Sequence, residues 1–196
     1  MKPLFKPLFV VATASASMVA HAHTGHGTHS LYEGFVHPFG PDHLLAMLAV
    51  GVWSVSALPA RQAWQGPAVF LLALVLSAVA GASGMGVPYL EHAIALSVSL
   101  FGLMLMMAIR RFPAGIGLGL VAVAASLHGL AHGAETPATG FAAYALGFVL
   151  TTAALHMSGV AMGLALRRWL AQRSTSMLAG VGGALSVAGV YLFSQI

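Results

Sequence analysis

Six long apolar runs, separated by short gaps, fill the chain from residue 32 almost to its end. The runs lie near residues 32–57, 67–85, 88–109, 112–132, 140–166 and 177–194. A helix needs about 20 mostly apolar residues to cross the hydrocarbon of a bilayer, and each run is close to that length or above it. The gaps are rich in Gly, Pro, Ser or Arg and are too short to hold a soluble domain. The pattern predicts an all-α integral membrane bundle of six transmembrane helices over residues 32–196.

The first 31 residues follow a different pattern. Lys2 and Lys6 precede a short apolar segment at residues 8–20, and Ala20 and Ala22 fit an A-x-A cleavage site. This segment is too short to span a bilayer. We therefore expect a cleaved signal peptide over residues 1–22, with an uncleaved anchor as the alternative.

Cleavage there would leave a periplasmic tail over residues 23–31. The tail contains His23, His26 and His29 among Gly, Ser and Thr. Short His-rich tracts often bind metal, and a free amine on His23 would add one more nitrogen ligand. A solvated leader without any ligand is the alternative interpretation.

The amino-acid composition excludes several classes of binding site and catalysis. Charged residues make up only 6% of the chain and hydrophobic residues 59%, whereas soluble domains carry about 25% charged residues. The net charge of +4 is not arranged as a basic patch with interleaved aromatics, so we expect no nucleic-acid partner. Cysteine is absent, which excludes disulfides, thiolate metal sites and cysteine catalysis. Ten histidines against four acidic residues remain to be explained.

The distribution of charge predicts the orientation. All arginines follow the first, third or fifth run: Arg61, Arg110, Arg111, Arg167, Arg168 and Arg173. By the positive-inside rule that side is the cytoplasm. Both mature termini then lie on the periplasmic side of a bacterial inner membrane. The acidic residues map to the opposite side: Glu33, Asp42, Glu91 and Glu135. This polarity is typical of a protein that captures a cation from outside.

The stretch HPFGPDH at residues 37–43 is the first candidate site. In a straight helix His37 and Asp42 would lie about 140° apart around the axis. Gly40 and Pro41 predict a break in the first helix, because Pro is well tolerated at the first position of a restarted helix. Broken helices line binding sites in transporters, and a break could bring His37 toward Asp42 and His43. Ionisable groups in a membrane segment are costly to bury and usually functional, so we expect these three residues to bind a metal.

The stretch LHGLAHGAE at residues 127–135 is the second candidate. His128, His132 and Glu135 lie four and three residues apart, and therefore on one stripe of a helix. Two imidazoles one turn apart, with a carboxylate, form part of a coordination shell for a divalent metal.

Three further residues are weaker candidates. Glu91 and His92 lie at the outer start of the third run, where they would bind metal or simply anchor a loop. His156 lies midway through the fifth run, where it would either take part in an ion pathway or hydrogen bond to a neighbouring helix.

The two motifs, together with six apolar runs behind a signal peptide, resemble the HupE/UreJ family. These are bacterial membrane proteins associated with hydrogenase and urease operons and regarded as nickel permeases. The resemblance implies that His37, Asp42 and His43 form the first-helix signature and that His128, His132 and Glu135 form the second. In that family five residues separate the first His from the Asp, whereas four separate them here, so the placement of His37 is an open question.

The expected function is a secondary permease that takes up a divalent metal, most simply Ni²⁺, for maturation of a hydrogenase or urease. The ion is cargo, and we expect neither a prosthetic group nor enzyme activity. Histidine and carboxylate ligands also suit Co²⁺ and Zn²⁺. The alternatives are a membrane-embedded zinc hydrolase with Asp42 or Glu135 as general base and a b-type haem protein. The sequence leaves open whether the chain forms a homo-oligomer.

Overall fold

The computed structural model describes residues 31–108, 113–135, 140–169 and 174–196. Within these ranges the chain forms helices and turns, with no strand, and the all-α prediction is confirmed. The predicted signal peptide, the tail histidines and three of the arginines lie outside the described residues: 1–22, His23, His26, His29, Arg110, Arg111 and Arg173.

Seven α-helices and two short 3-10 helices make up the described chain. They are α1 (Leu31–Val36), a 3-10 turn (His37–Phe39), α2 (Pro41–Ala57), a second 3-10 turn (Ala60–Gln62), α3 (Gln65–Ala82), α4 (Leu90–Ala108), α5 (Ala114–Glu135), α6 (Phe141–Trp169) and α7 (Ser174–Phe193). Each of the last five apolar runs corresponds to one helix, α3 to α7. Five helical segments are long and apolar enough to cross a membrane: Ala60–Ala82, Leu90–Ala108, Ala114–Ala134, Phe141–Arg168 and Thr175–Phe193.

The first apolar run is shared between α1, which has 6 residues, and α2, which has 17. Between them Gly40 has φ −52° and ψ 141°, outside the helical region. Its backbone groups stay satisfied, because its N–H donates to the carbonyl of His37 (3.1 Å) and its carbonyl accepts from the N–H of Leu44 (2.8 Å). Pro41 occupies the start of α2, where a missing N–H has no cost.

The long helices pack in pairs, α3 on α5 and α4 on α7, while α1 and α2 both pack on α6. Helix α2 is the most enclosed, and its Met47, Val50 and Trp53 are almost completely buried. The outer faces of the other helices expose large apolar side chains such as Leu72, Leu76 and Val123. Such faces suit contact with lipid tails rather than with water.

Glycine allows two of these pairs to approach closely. A Cβ on Gly51 of α2 would overlap the carbonyl oxygen of His156, and one on Gly159 of α6 would overlap that of Leu48. In the same way Gly129 and Gly133 of α5 face the backbone of α3. Small residues at helix crossings are the usual means of close packing in membranes. These crossings fix α2 against α6 and α5 against α3.

The crossing of α2 and α6 predicts that Gly51→Ala destabilises the protein. Overpacking of a filled contact costs about 1–3 kcal/mol, so the free energy of unfolding of the purified protein in detergent should fall by that amount. Gly180→Ala is the matched control, because nothing in the described part of the chain lies within 4 Å of the added methyl. Equal stability of the two variants would contradict the close crossing.

Candidate metal-binding site

Four histidines from three segments meet beside the break between α1 and α2. His37 belongs to the 3-10 turn, His43 to α2, and His128 and His132 to α5. Their ring centroids are 4.5 Å apart for His37–His132, 4.7 Å for His43–His132, 4.8 Å for His43–His128 and 5.4 Å for His37–His43. His43, His128 and His132 are buried, and His37 is half-buried. We call these four residues the histidine cluster.

The closest approach in the cluster joins His43 Nε2 to His132 Nε2, at 3.0 Å. A metal bound to two imidazoles at about 2.0–2.1 Å holds their nitrogens about 2.9–3.4 Å apart, for angles between octahedral and tetrahedral. The pair is therefore already at the spacing of two ligands of one ion. His37 completes a group of three in which one nitrogen from each ring lies within 4.8 Å of the other two. A shift of roughly 1.5 Å by His37 would bring its nitrogen to the same spacing and close this triad on an ion.

Asp42 determines which nitrogen of His43 faces the cluster. Its Oδ1 lies 2.9 Å from His43 Nδ1. Because a carboxylate oxygen only accepts, His43 Nδ1 carries the proton, and His43 Nε2 accepts a hydrogen bond from His132 Nε2–H. An ion bound to both rings would take the place of that proton. Carboxylates commonly orient metal-binding histidines in this way. Asp42 therefore stands behind His43 in the described structure and brings a negative charge close to the triad.

Ser97 of α4 has the same effect on His128. The Ser97 hydroxyl donates its one proton to the carbonyl of Ile94 (2.7 Å) and lies 3.0 Å from His128 Nε2. Since the hydroxyl proton is already used, Ser97 Oγ accepts from His128 Nε2–H. The lone pair of the His128 ring is then on Nδ1, which is fully buried and has no hydrogen-bond partner among the described residues.

Aromatic side chains enclose the cluster. Tyr144 and Phe148 of α6 pack on His37 and His132, with centroid distances of 5.8 and 5.0 Å. Phe70 of α3 packs on His128 at 5.8 Å. An apolar shell of this kind keeps water from competing for the site and lowers the local dielectric.

The remaining candidates lie elsewhere. Glu135 is the last residue of α5, and its side chain lies outside the described part of the structure. Glu91 and His92 open α4, and the His92 ring contacts Tyr89 and Phe193 at 5.9 and 5.1 Å rather than the cluster. His156 is completely buried in the middle of α6, against Phe70.

Sequence reasoning missed Ser97 and the aromatic shell. Serines in these helices mostly bond a carbonyl of their own helix, as Ser54, Ser77 and Ser158 do. No sequence signal marks Ser97 as the one whose oxygen also accepts from a histidine of another helix.

The hydrogen bond from His128 predicts that Ser97→Ala weakens metal binding. Loss of a group that orients a metal ligand typically costs 10–100-fold in affinity, so the nickel affinity of the purified protein should fall by about that factor in a titration. The matched control is Ser99→Ala on the same helix, because Ser99 bonds the carbonyl of Ser186 on α7 instead. Equal nickel affinities for the two variants would show that Ser97 has no part in binding.

Comparison with known proteins identifies the family. Residues 11–192 match the HupE / UreJ protein family. The chain is also 36% identical to Protein HupE of Rhizobium leguminosarum bv. viciae over 188 residues, which cover 93% of this chain and 94% of that relative. No solved structure matches the chain. These matches confirm the resemblance found in the motifs, and the chain belongs to the HupE/UreJ family.

Proposed function

We propose that this protein is a membrane permease that binds a divalent transition-metal ion at the histidine cluster and passes it into the cytoplasm. The observation that carries the proposal is the 3.0 Å approach of His43 Nε2 to His132 Nε2, with His37 beside the pair. Two imidazoles at ligand spacing, with a third from another segment within 4.8 Å, in a bundle of apolar helices, are difficult to explain as packing alone.

The imidazole ligands of the cluster limit which metal ions the protein could transport. Neutral imidazoles without thiolates suit Ni²⁺, Co²⁺ and Zn²⁺ rather than hard cations such as Mg²⁺ or Ca²⁺. Membership in the HupE/UreJ family favours nickel, since the family is associated with hydrogenase and urease. Ni²⁺ destined for one of these metalloenzymes is the proposed cargo.

Charge supports the proposed direction of transport. The cluster lies at the start of α2, whereas Arg167 near the end of α6 donates to the carbonyl of Val55 near the end of α2 (2.9 Å). The distance along α2 from His43 to Val55 is about 18 Å at 1.5 Å per residue, so cluster and arginine belong to opposite faces of the bundle. By the positive-inside rule the arginine side is cytoplasmic and the cluster side periplasmic. The α1–α2 segment acts as a sixth, interrupted span.

Dehydration of the ion is the main barrier to entry. A divalent ion that enters the bundle must exchange its water for protein ligands, and imidazole lone pairs replace water without adding charge. Asp42 supplies one nearby negative charge, which partly neutralises the ion in the apolar surroundings. A membrane potential of 100 mV then favours inward movement of a divalent ion by about 4.6 kcal/mol.

The zinc-hydrolase alternative is not favoured. The family relationship gives it no support. Of its two possible general bases, Asp42 is held on His43 Nδ1, and the Glu135 side chain lies outside the described part of the structure. The haem alternative is not favoured either, because the four rings contact each other and leave no slot for a porphyrin between them.

The charge of Asp42 predicts a loss of transport in Asp42→Asn. The amide oxygen still accepts from His43 Nδ1–H, so the orientation of His43 is kept while the negative charge is removed. Accumulation of radiolabelled nickel in cells expressing the variant should fall roughly tenfold or more below wild type at equal abundance.

The matched control for uptake is His92→Gln, which removes a histidine outside the cluster and should leave accumulation unchanged. Wild-type accumulation no higher than in empty cells, for nickel, cobalt and zinc alike, would contradict the permease. If Asp42→Asn accumulates as much nickel as wild type, the charge of Asp42 has no part in transport, and the histidines alone bind the ion.

A further inference from the structure

His156 is a buried histidine that the cluster does not use. It is completely enclosed in α6, and its Nδ1 lies 2.8 Å from the carbonyl oxygen of Thr152. A carbonyl only accepts, so Nδ1 carries the proton and Nε2 has the lone pair. This Nε2 is fully buried and has no hydrogen-bond partner among the described residues. Like His128 Nδ1, it is a buried nitrogen whose lone pair no described residue uses.

Thr152, one turn before His156 on the same helix, has a side-chain oxygen that is also without a partner among the described residues. Its side chain is completely buried, and its Oγ1 has no hydrogen-bond partner among the described residues. The hydroxyl of a helical threonine usually donates to the carbonyl one turn before it. A buried threonine hydroxyl without such a hydrogen bond is therefore unusual. Because Thr152 and His156 are four residues apart, Oγ1 and the imidazole lie on one interior face of α6. Buried polar atoms without partners are costly and call for an explanation such as an ion.

Phe70 contacts both this pair and the histidine cluster. Its ring packs on His156 at 4.7 Å and on His128 at 5.8 Å, and it is itself completely buried. Phe70 therefore links His156 to the cluster. Helix α6 runs from here toward Arg167, which lies 11 residues beyond His156.

We propose that His156 Nε2 and Thr152 Oγ1 form a second binding station for a divalent transition-metal ion, beside Phe70, whose ring also contacts His128 of the histidine cluster. The proposal rests on the proposed function and deepens it, since it gives the ion a place to rest after it leaves the cluster. Two side-chain donors bind more weakly than three imidazoles. Conduction requires sites that hold an ion without trapping it, and a weaker second station meets that requirement.

The absence of cysteine from the chain allows a direct test. In His156→Cys, a nickel ion bound at this position gives a thiolate-to-nickel charge-transfer band that no other residue in the protein can produce. The purified full chain is titrated with NiCl₂ and followed by absorption. Ala154→Cys is the matched control, because Ala154 is an exposed residue on the outward face of the same helix. The double variant His43→Ala/His156→Cys tests whether the station is independent of the cluster.

The proposal expects a saturable band in His156→Cys and in the double variant, with none in Ala154→Cys. Absence of the band, or an equal band in Ala154→Cys, would overturn the station. A band that disappears with His43→Ala would assign position 156 to the cluster and overturn it as well. If wild type accumulates nickel but the band is absent, the permease stands and the station alone fails. If neither is seen, the proposed function fails too.

Thr152→Val provides a second test that does not depend on a cysteine variant folding. Valine has the shape of threonine, and the hydroxyl it removes makes no hydrogen bond to any described residue, so a purely structural role predicts unchanged stability and unchanged uptake. The station predicts unchanged stability with nickel accumulation roughly tenfold lower, and recovery in Thr152→Ser. Full uptake by Thr152→Val would remove Thr152 from the station.

Discussion

A neutral imidazole has one N–H that needs an acceptor and one lone pair that needs a donor or a cation, and neither finds water inside an apolar bundle. In this protein four of the N–H groups have identified acceptors. His43 donates to the Asp42 carboxylate, His132 to His43 Nε2, His128 to the Ser97 hydroxyl and His156 to the Thr152 carbonyl. Each acceptor fixes a tautomer, and in His128 and His156 it leaves the opposite nitrogen as a buried lone pair without a partner among the described residues. The proposed metal chemistry follows from this arrangement, because a divalent cation satisfies several such lone pairs at once.

The helix crossings bring these lone pairs together. Gly51 and Gly159 let α2 and α6 approach until backbone meets backbone, and Gly129 and Gly133 do the same for α5 and α3. The first crossing fixes α2, which carries His43, against α6. The second fixes α5, whose His128 and His132 contact the His43 ring, against α3. The short turn after α1 then adds His37 from the side. A bundle with larger residues at these crossings would hold the same histidines farther apart.

Much of this could be predicted from the sequence, within limits that have a physical cause. The apolar runs gave the long helices, and the spacing of His128 and His132 gave their common face, because both depend only on local periodicity. Gly40 and Pro41 indicated irregular backbone before α2. The contacts of His37 with His132, of Ser97 with His128 and of Phe70 with His156 depend on how one helix is rotated against another. No single helix encodes that rotation. For Asp42 the motif predicted an ion ligand, which stays a prediction, and it did not indicate the contact of Asp42 Oδ1 with His43 Nδ1.

X-ray absorption at the nickel edge of the purified, nickel-loaded protein tests most directly whether the histidines of the cluster bind one ion. In this experiment His23, His26 and His29 are replaced by Gln, so that the tail contributes no imidazole to the spectrum. Imidazole rings give characteristic multiple scattering, which counts the histidines bound to the metal. The structure predicts at least three imidazoles on one nickel at about 2.0–2.1 Å. It also predicts that His132→Gln removes one of them. A spectrum with one imidazole or none, the rest of the shell being water, would show that the cluster is packing and that the ion binds elsewhere.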